Sequence, residues 1–391
     1  MNDFQQSSFD FPTFSTGTSN AVTAPPPPPP RRPERTRMGR WMILPFVLAI
    51  ALAAVGGGIV GATVSEDVAP VLIEQARAER TLPGRPVIAS TAINPQSVGA
   101  AVIPSIVTVE VGSGEGENFV KAGSGSGVVL DVEGHIVTNN HVAEAGPSIR
   151  IVLSDGRAYE AALVGTDPVT DLAVVKIPTA DVSPISLGST DGLEVGTPVV
   201  AVGSPLGLEG GPSLSVGVVS ALGREVQTGP DNILYGMIQT DAPITSGSSG
   251  GSLVDADGNL LGITTAVGVS KIGVEGIGFA TPVEVVKRVT QEIIETGNAT
   301  HALIGITGST EYDETSDGGF APMGVAVASV APGSPAETAG LHEGDVITAV
   351  DGKDVRTMDE LISILRTVSA GDTVTISVVD AEPVSVTLAD R

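Results

Sequence analysis

The chain contains no cysteine, which excludes disulfide staples, thiol nucleophiles and thiolate-held zinc. Basic residues are scarce: 20 Lys and Arg stand against 45 Asp and Glu, for a net charge of −25. Residues 1–65 hold five arginines against three acids, so all of the net acidity belongs to residues 66–391. Phosphate binding needs a basic surface, and nucleic acid is therefore excluded as a partner. Aromatic residues make up only 3%, while Gly, Val, Ala, Thr and Ser abound, a balance that suits many short strands and tight turns. Neither a metal-ligand cluster nor a phosphate loop is found, and no cofactor is expected. With 391 residues, the natural reading is two folded domains plus tails.

Residues 1–40 read as a disordered tail, stiffened as polyproline II over Pro25–Pro30. Arginines 31, 32, 35, 37 and 40 then lead into Trp41–Val64, 24 residues without a charge. About 20 apolar residues span a bilayer, and a positive flank stays in the cytoplasm. Residues 41–64 are thus expected to form a single transmembrane helix in contact with the lipid bilayer, with the bulk of the chain extracytoplasmic. The apolar run is too long for a cleaved signal peptide, whose core is about 7–15 residues. Residues 65–93 read as a tether with a short helix near Val71–Arg80.

From about Asn94 the pattern turns β: Ser105–Val111, Ser126–Leu130, Gly134–Asn139, Ser148–Leu153, Tyr159–Val164 and Asp171–Ile177 come first. Thr197–Val202, Leu214–Ser220, Leu234–Gln239, Ser252–Val254 and Leu260–Ala266 come next. Short strands at regular spacing indicate a barrel or sandwich. Thr281-Pro-Val-Glu284 reads as a capping box opening a helix that Gly297 stops, which closes a domain over 94–297. A small α+β domain over 298–391 has two more boxes, Ser334–Glu337 and Thr357–Glu360. Between Ser309 and Met323 an acidic, Gly-containing insert is expected to be a mobile loop.

The chemistry gathers around Ser249, in the run Gly247-Ser-Ser-Gly-Gly251. Glycine cannot sustain a helix there, but it turns tightly and bares N–H groups, as a nucleophile with an oxyanion hole requires. The first domain has two histidines, His135 and His141, and Asp171 opens a strongly apolar strand where an unpaired carboxylate is costly. Taken singly, each has a plainer reading: a Gly/Ser loop, a turn histidine, a strand cap. Together they fit acyl transfer, with the imidazole taking the serine proton and the carboxylate holding the imidazole. The chain order His141, Asp171, Ser249 on a β background is the chymotrypsin-like arrangement. An α/β-hydrolase esterase would need its histidine downstream, where only His301 and His342 lie.

Thr138-Asn-Asn-His141-Val, Thr170-Asp171-Leu-Ala-Val-Val-Lys176, Ser215–Gly223 and Gly276–Pro282 together resemble the HtrA (Deg) family of serine proteases, and the second domain resembles its PDZ domain. The resemblance implies an all-β double barrel of chymotrypsin type with the triad His141, Asp171 and Ser249. It implies an oxyanion hole from the N–H groups of Gly247 and Ser249, and assembly as a homotrimer. The implied function is a membrane-anchored serine endopeptidase cleaving misfolded or regulatory extracytoplasmic proteins, under control of peptides bound by the PDZ domain.

Two positions depart from the family: Ser248 and Ser252 stand where it has Asn and Pro. Neither position supplies a triad group, so activity is expected to survive. The lost proline frees φ at 252, which leaves the loop looser and the peptide between 247 and 248 freer to flip. Hence a competing reading as a catalytically weakened chaperone or peptide-sensing binding protein. By the resemblance, Pro243, Ile244 and Thr245 floor the primary pocket and Thr264, Thr265 and Ala266 wall it. None is a carboxylate, so cleavage after small aliphatic residues is expected and cleavage after Lys or Arg is not. Leu303-Ile304-Gly305-Ile306 resembles the PDZ carboxylate-binding loop, with Gly305 turning N–H groups toward a peptide C-terminus.

Overall fold

Asn94 and Pro95 make a helix start where extended chain was expected. The Asn94 side chain accepts hydrogen bonds from the N–H groups of Gln96 (3.1 Å) and Ser97 (3.2 Å), and the proline sits in the first turn. The result is α1 (Pro95–Val102). The computed structural model describes residues 93–178, 181–204, 211–229, 232–245, 247–265 and 276–391. The expected tail, membrane span and short helix near 71–80 lie outside those residues. Among the described residues no helix is long and apolar enough to cross a membrane.

The β pattern resolves into two closed antiparallel barrels of six strands each. The first runs β1 (Ile106–Ser113), β2 (Val120–Val129), β3 (His135–Thr138), a one-turn α2 (Asn140–Ala143), β4 (Ser148–Val152), β5 (Ala158–Asp167) and β6 (Leu172–Lys176). It closes in the order β1-β2-β3-β6-β5-β4. The second contains β7 (Pro198–Gly203), β8 (Ser213–Gln227), β9 (Ile233–Thr240), β10 (Ser252–Val254), β11 (Leu260–Thr265) and β12 (Gly278–Pro282). Its order is β10-β11-β12-β9-β8-β7.

Alternating Val and Ile send one set of side chains into each barrel and another outward. Val107, Val109, Ile136, Ile151 and Val175 fill the first barrel, and Val199, Val219, Ile238 and Leu253 the second. The outward set, with Ile106, Val128, Val174, Val200 and Ile263, meets α1 and α3 (Val283–Thr296) in a third cluster. Each such side chain is worth roughly 1.5–3 kcal/mol when fully buried, so the two barrels are held as one body by their shared seam.

The capping box expected at Thr281 does not form. Thr281 pairs with Ile263 and stays in β12, which leaves Pro282 at the helix N-cap. Glu284 instead accepts from the Thr190 N–H (2.8 Å) and hydroxyl (2.7 Å), tying the helix to the loop before β7. Gly297, at φ 86°, ends the helix in the left-handed conformation as read from the sequence.

The C-terminal part comprises β13 (Ala302–Leu303), β14 (Ile306–Glu314), β15 (Phe320–Val330), α4 (Pro335–Ala339), β16 (Val346–Val350), β17 (Lys353–Asp354), α5 (Met358–Leu365), β18 (Thr373–Val378), β19 (Val384–Thr387) and β20 (Ala389–Asp390). Its main sheet has the order β14-β15-β16-β18-β19, which leaves β14 at an edge. The insert Ser309–Met323, expected to be loop, is mostly strand: Ser309 pairs with Ala326 and the ladder runs on to Glu314 and Phe320. Only the turn Thr315–Gly319 interrupts it. Thr357 and Glu360 form the full reciprocal cap of α5, and Ser334 caps α4.

Candidate active site

His141 and Asp171 come from one barrel. The strand β3 ends at Thr138, and α2 turns His141 back toward the start of β6, where Asp171 sits. Asp171 has φ 56°, a left-handed conformation that a residue with a Cβ adopts only under local constraint. The constraint is visible. Its carbonyl accepts from the Asn139 side chain (2.9 Å) and the Asn140 N–H (3.1 Å). Its carboxylate accepts from the His141 N–H (3.0 Å) and pairs with His141 Nδ1 (2.8 Å). An ionised carboxylate only accepts, so Nδ1 carries the proton and Nε2 is left with a lone pair. The imidazole is 48% exposed and the Asp171 side chain 6%, so the ring faces solvent while its carboxylate partner is shielded.

Ser249 comes from the other barrel, and β2 brings it in. The Ser126 N–H donates to the Ser249 carbonyl (2.7 Å). A Cβ on Gly125 would press on Val142, the neighbour of His141, and on the Ser249 carbonyl at 3.1 Å. Glycine at 125 therefore lets the histidine turn and the serine loop close on the same point. Gly250, at φ 84°, is required by the same packing, since a Cβ there would collide with the Ser126 carbonyl.

The peptide between 247 and 248, expected to flip readily, is held at both ends. Ser126 Oγ donates to the Gly247 carbonyl (2.7 Å), and the Ser248 N–H donates to the Thr245 carbonyl (2.9 Å). Ser252, expected to loosen the loop for want of proline, is fully buried and paired with both Val202 and Ile263. Two ladders do for its backbone what the ring would do. The N–H groups of Gly250 and Gly251 are committed to the carbonyls of Thr264 and Ser248.

Of the residues expected around a primary pocket, Pro243, Thr245 and Thr264 line one cavity of about 180 Å³ with Ser248 and Ser213–Ser215. Ile244 does not join them; it packs against Gly278 and the core of the second barrel. Thr265 is buried and accepts from the Asn139 amide (3.1 Å), on the path to Asp171. Ala266 lies outside the described residues.

The second histidine, His135, is tied to Asp131 (2.6 Å) in the turn before β3, where Glu133 and His135 also donate their N–H groups to Asp131. That closes a turn and leaves the Asp131 carboxylate engaged by its own backbone. Asp167, at the far end of the turn carrying Asp171, accepts from the Val169 N–H (3.1 Å), Thr170 Oγ1 (2.5 Å) and His301 Nε2 (2.8 Å). Burial alone would raise its pKa; the hydrogen bonds outweigh burial and hold the carboxyl below its ordinary 3.8. His342 is exposed in the turn before β16, where its N–H donates to the Asp345 carboxylate (2.8 Å).

A second concavity lies along the edge strand β14 and α5. It encloses about 1050 Å³ and is lined by Ile304, Gly305, Ile306, Met358, Leu361 and Leu365. Gly305 has φ 88°, and a Cβ there would collide with Ser334. The carbonyls of Ile304 and Gly305 accept from the N–H groups of Ala336 and Ala331 (2.9 Å each), so they are engaged on the α4 side. Pro168, Val169, Ile233, Tyr235, His301 and Arg366 also border this groove, so the two barrels contribute to its wall. Ser126 and this shared wall are what the sequence reading missed. A buried serine between glycines 125 and 127 was the signal for the first; nothing local signals the second.

The trypsin-like peptidase domain family matches residues 125–263, and the PDZ domain family matches 326–380. The chain is 36% identical over 363 residues to the serine protease PepD of Mycobacterium tuberculosis, covering 85% of this chain and 74% of that one. It is 38% identical over 282 residues to the periplasmic serine endoprotease DegP of Escherichia coli, covering 71% of this chain and 59% of DegP. The chain thus spans about three-fifths of the length of DegP. Among solved structures, the HtrA-type protease AlgW with a tripeptide superposes with a TM-score of 0.60 at 32% identity, over 76% of this chain and 97% of AlgW. The serine endoprotease from Yersinia pestis does so with a TM-score of 0.52 at 31% identity, over 77% and 99%.

Proposed function

This chain belongs to the HtrA family of trypsin-like serine proteases with a C-terminal PDZ domain, and from that premise we propose that it is an endopeptidase working through His141, Asp171 and Ser249. The observation that carries the proposal is the His141–Asp171 pair at 2.8 Å, docked through β2 against the Ser249 loop. Asp171 keeps the proton on Nδ1, so Nε2 takes the Ser249 hydroxyl proton as the oxygen attacks a peptide carbonyl. Negative charge on the former carbonyl oxygen is met by the N–H groups of Gly247 and Ser249. The imidazolium then gives its proton to the leaving amine. Water, deprotonated by the same nitrogen, releases the acyl group.

Residues 94–297 form the protease in this reading and 298–391 the regulatory domain. A peptide C-terminus enters at Ile304–Ile306, adds to the edge of β14 and lies against α5. AlgW has been solved with a tripeptide and with a decapeptide, which supports peptides as the ligand class here. DegP is named a periplasmic enzyme, and the uncharged run 41–64 supports an anchored chain whose catalytic bulk lies outside the cytoplasm. The weakened-chaperone reading has less support, because the 247–248 peptide it relied on is hydrogen-bonded at both ends.

The test is to incubate the full chain with an unfolded protein and map the cut sites by mass spectrometry. Cuts after Val, Ala, Leu or Thr, absent from Ser249→Ala, are expected. Cleavage that persists in Ser249→Ala contradicts the mechanism, and robust cleavage after Arg contradicts the pocket assignment.

A further inference from the structure

One of the three partners of Asp167 comes from outside the barrel. His301 lies in the segment that leaves α3 for the PDZ sheet, and its Nε2 is 2.8 Å from Asp167 Oδ1. The two side chains are only 11% and 4% exposed. On its other edge, His301 Nδ1 lies 3.0 Å from a terminal nitrogen of Arg366. A guanidinium nitrogen only donates, so Nδ1 must accept. The imidazole proton is therefore on Nε2 and aimed at Asp167. Arg366 is held in turn: Arg288 Nε donates to its carbonyl (3.0 Å), and an Arg288 terminal nitrogen donates to the Thr300 carbonyl (2.9 Å) beside His301. His301 and Arg366 both border the peptide groove.

We propose that His301 is a positioning residue for the catalytic aspartate, with Arg366 on the groove wall fixing its tautomer so that its Nε2–H steadies the Asp167 carboxylate and the turn that carries Asp171. The inference rests on the triad reading above and deepens it. The turn Asp167–Asp171 holds a residue with a Cβ at φ 56°, which persists only while its surroundings over-determine it. Val169 and Thr170 pin the turn from within. His301 is the contact that fixes it to the PDZ side. Loss of that contact lets Asp171 drift relative to His141, and a misplacement of about 1 Å can cost about 100-fold in rate. Whatever enters the groove meets the same arginine and histidine, so groove and catalytic turn share one hydrogen-bonded chain.

The test uses the full chain as wild type, His301→Ala, His301→Gln and Arg366→Ala. A fluorophosphonate titration counts the reactive Ser249 sites, and kcat per labelled site and KM are measured on an unfolded protein. His301→Ala is expected to lower kcat per labelled site about 10-fold with KM within about 2-fold. His301→Gln, which offers Asp167 a donor and Arg366 an acceptor, is expected to recover to within about 3-fold. Arg366→Ala is expected to lose about 3-fold, since it frees the tautomer without touching Asp167. A purely structural role gives fewer labelled sites at an unchanged kcat per site, and that result overturns the proposal. If His301→Ala yields no folded protein, Arg366→Ala decides by the same per-site criterion. Wild type that is not labelled at Ser249 overturns the triad reading itself, whereas normal labelling with unchanged variants overturns only this inference.

Discussion

Replacing Ser126 by alanine removes one hydroxyl that holds two backbone groups. Ser126 Oγ donates to the Gly247 carbonyl (2.7 Å) and accepts from the Ser204 N–H (2.7 Å). Ser126 is fully buried, so water has no ready route to replace it. A buried polar group left unpaired costs about 1–3 kcal/mol. The share that falls on the Gly247 carbonyl acts on the peptide beside the proposed oxyanion hole, and at about 1.4 kcal/mol per factor of ten it lowers kcat/KM by roughly 5- to 150-fold. The share that falls on Ser204 weakens the seam between the barrels and shows as lost stability. The assay is kcat/KM on an unfolded protein, normalised to the fraction of Ser249 that a fluorophosphonate labels at saturation, with urea unfolding in parallel. A stability loss of about 1–3 kcal/mol with kcat/KM within 2-fold of wild type refutes the reasoning, because the Gly247 carbonyl would then need no support.

Asp171→Asn keeps the shape of the site but permits the wrong imidazole tautomer, and kcat is expected to fall about 10⁴-fold with peptide binding at the groove unchanged, as steady-state kinetics and calorimetry would report. Gly305→Ala forces a Cβ into Ser334 at φ 88°, and binding of a labelled peptide with a free C-terminal carboxylate and an apolar last residue is expected to weaken at least about 10-fold by fluorescence anisotropy, while labelling of Ser249 in the absence of peptide persists. Asp167 has a pKa below its ordinary 3.8 in the folded chain. Its contribution to stability is therefore fully present above about pH 4 and is lost as pH falls through the lower, folded value. Asp167→Asn is expected to flatten that acid limb, and an unchanged slope of stability against pH between about 4 and 2 argues against it.

The barrels were legible because short runs rich in Val and Ile, some alternating with small polar residues and some such as Leu172–Lys176 apolar almost throughout, are separated by Gly- or Asp-containing turns. The proposed serine, histidine and aspartate were picked out by chain order and local motifs, and the structure pairs the last two at 2.8 Å. What sequence could not carry was anything decided by partners remote along the chain. Thr281 looked like a helix cap, but pairing with Ile263 kept it in a strand. The insert looked like a loop because it is acidic and contains glycine, yet the backbone of Glu311, Asp313 and Glu314 pairs with β15 across a tight turn while their side chains stay exposed. Ile244 was read as a pocket floor by its place in the chain, and Gly278 opposite it offers room that draws it inward. His301 carried no motif at all; its meaning arises only when Asp167 and Arg366, 134 and 65 residues away, close around it.

The central claim is that Ser249 is a nucleophile activated by His141. It is tested most directly by reacting the full chain with a fluorophosphonate and locating the adduct by peptide mass mapping. The account predicts a single adduct on Ser249, absent from Ser249→Ala and formed at least about 10³-fold more slowly in His141→Ala. An adduct elsewhere, or equal labelling of the His141→Ala protein, would contradict it.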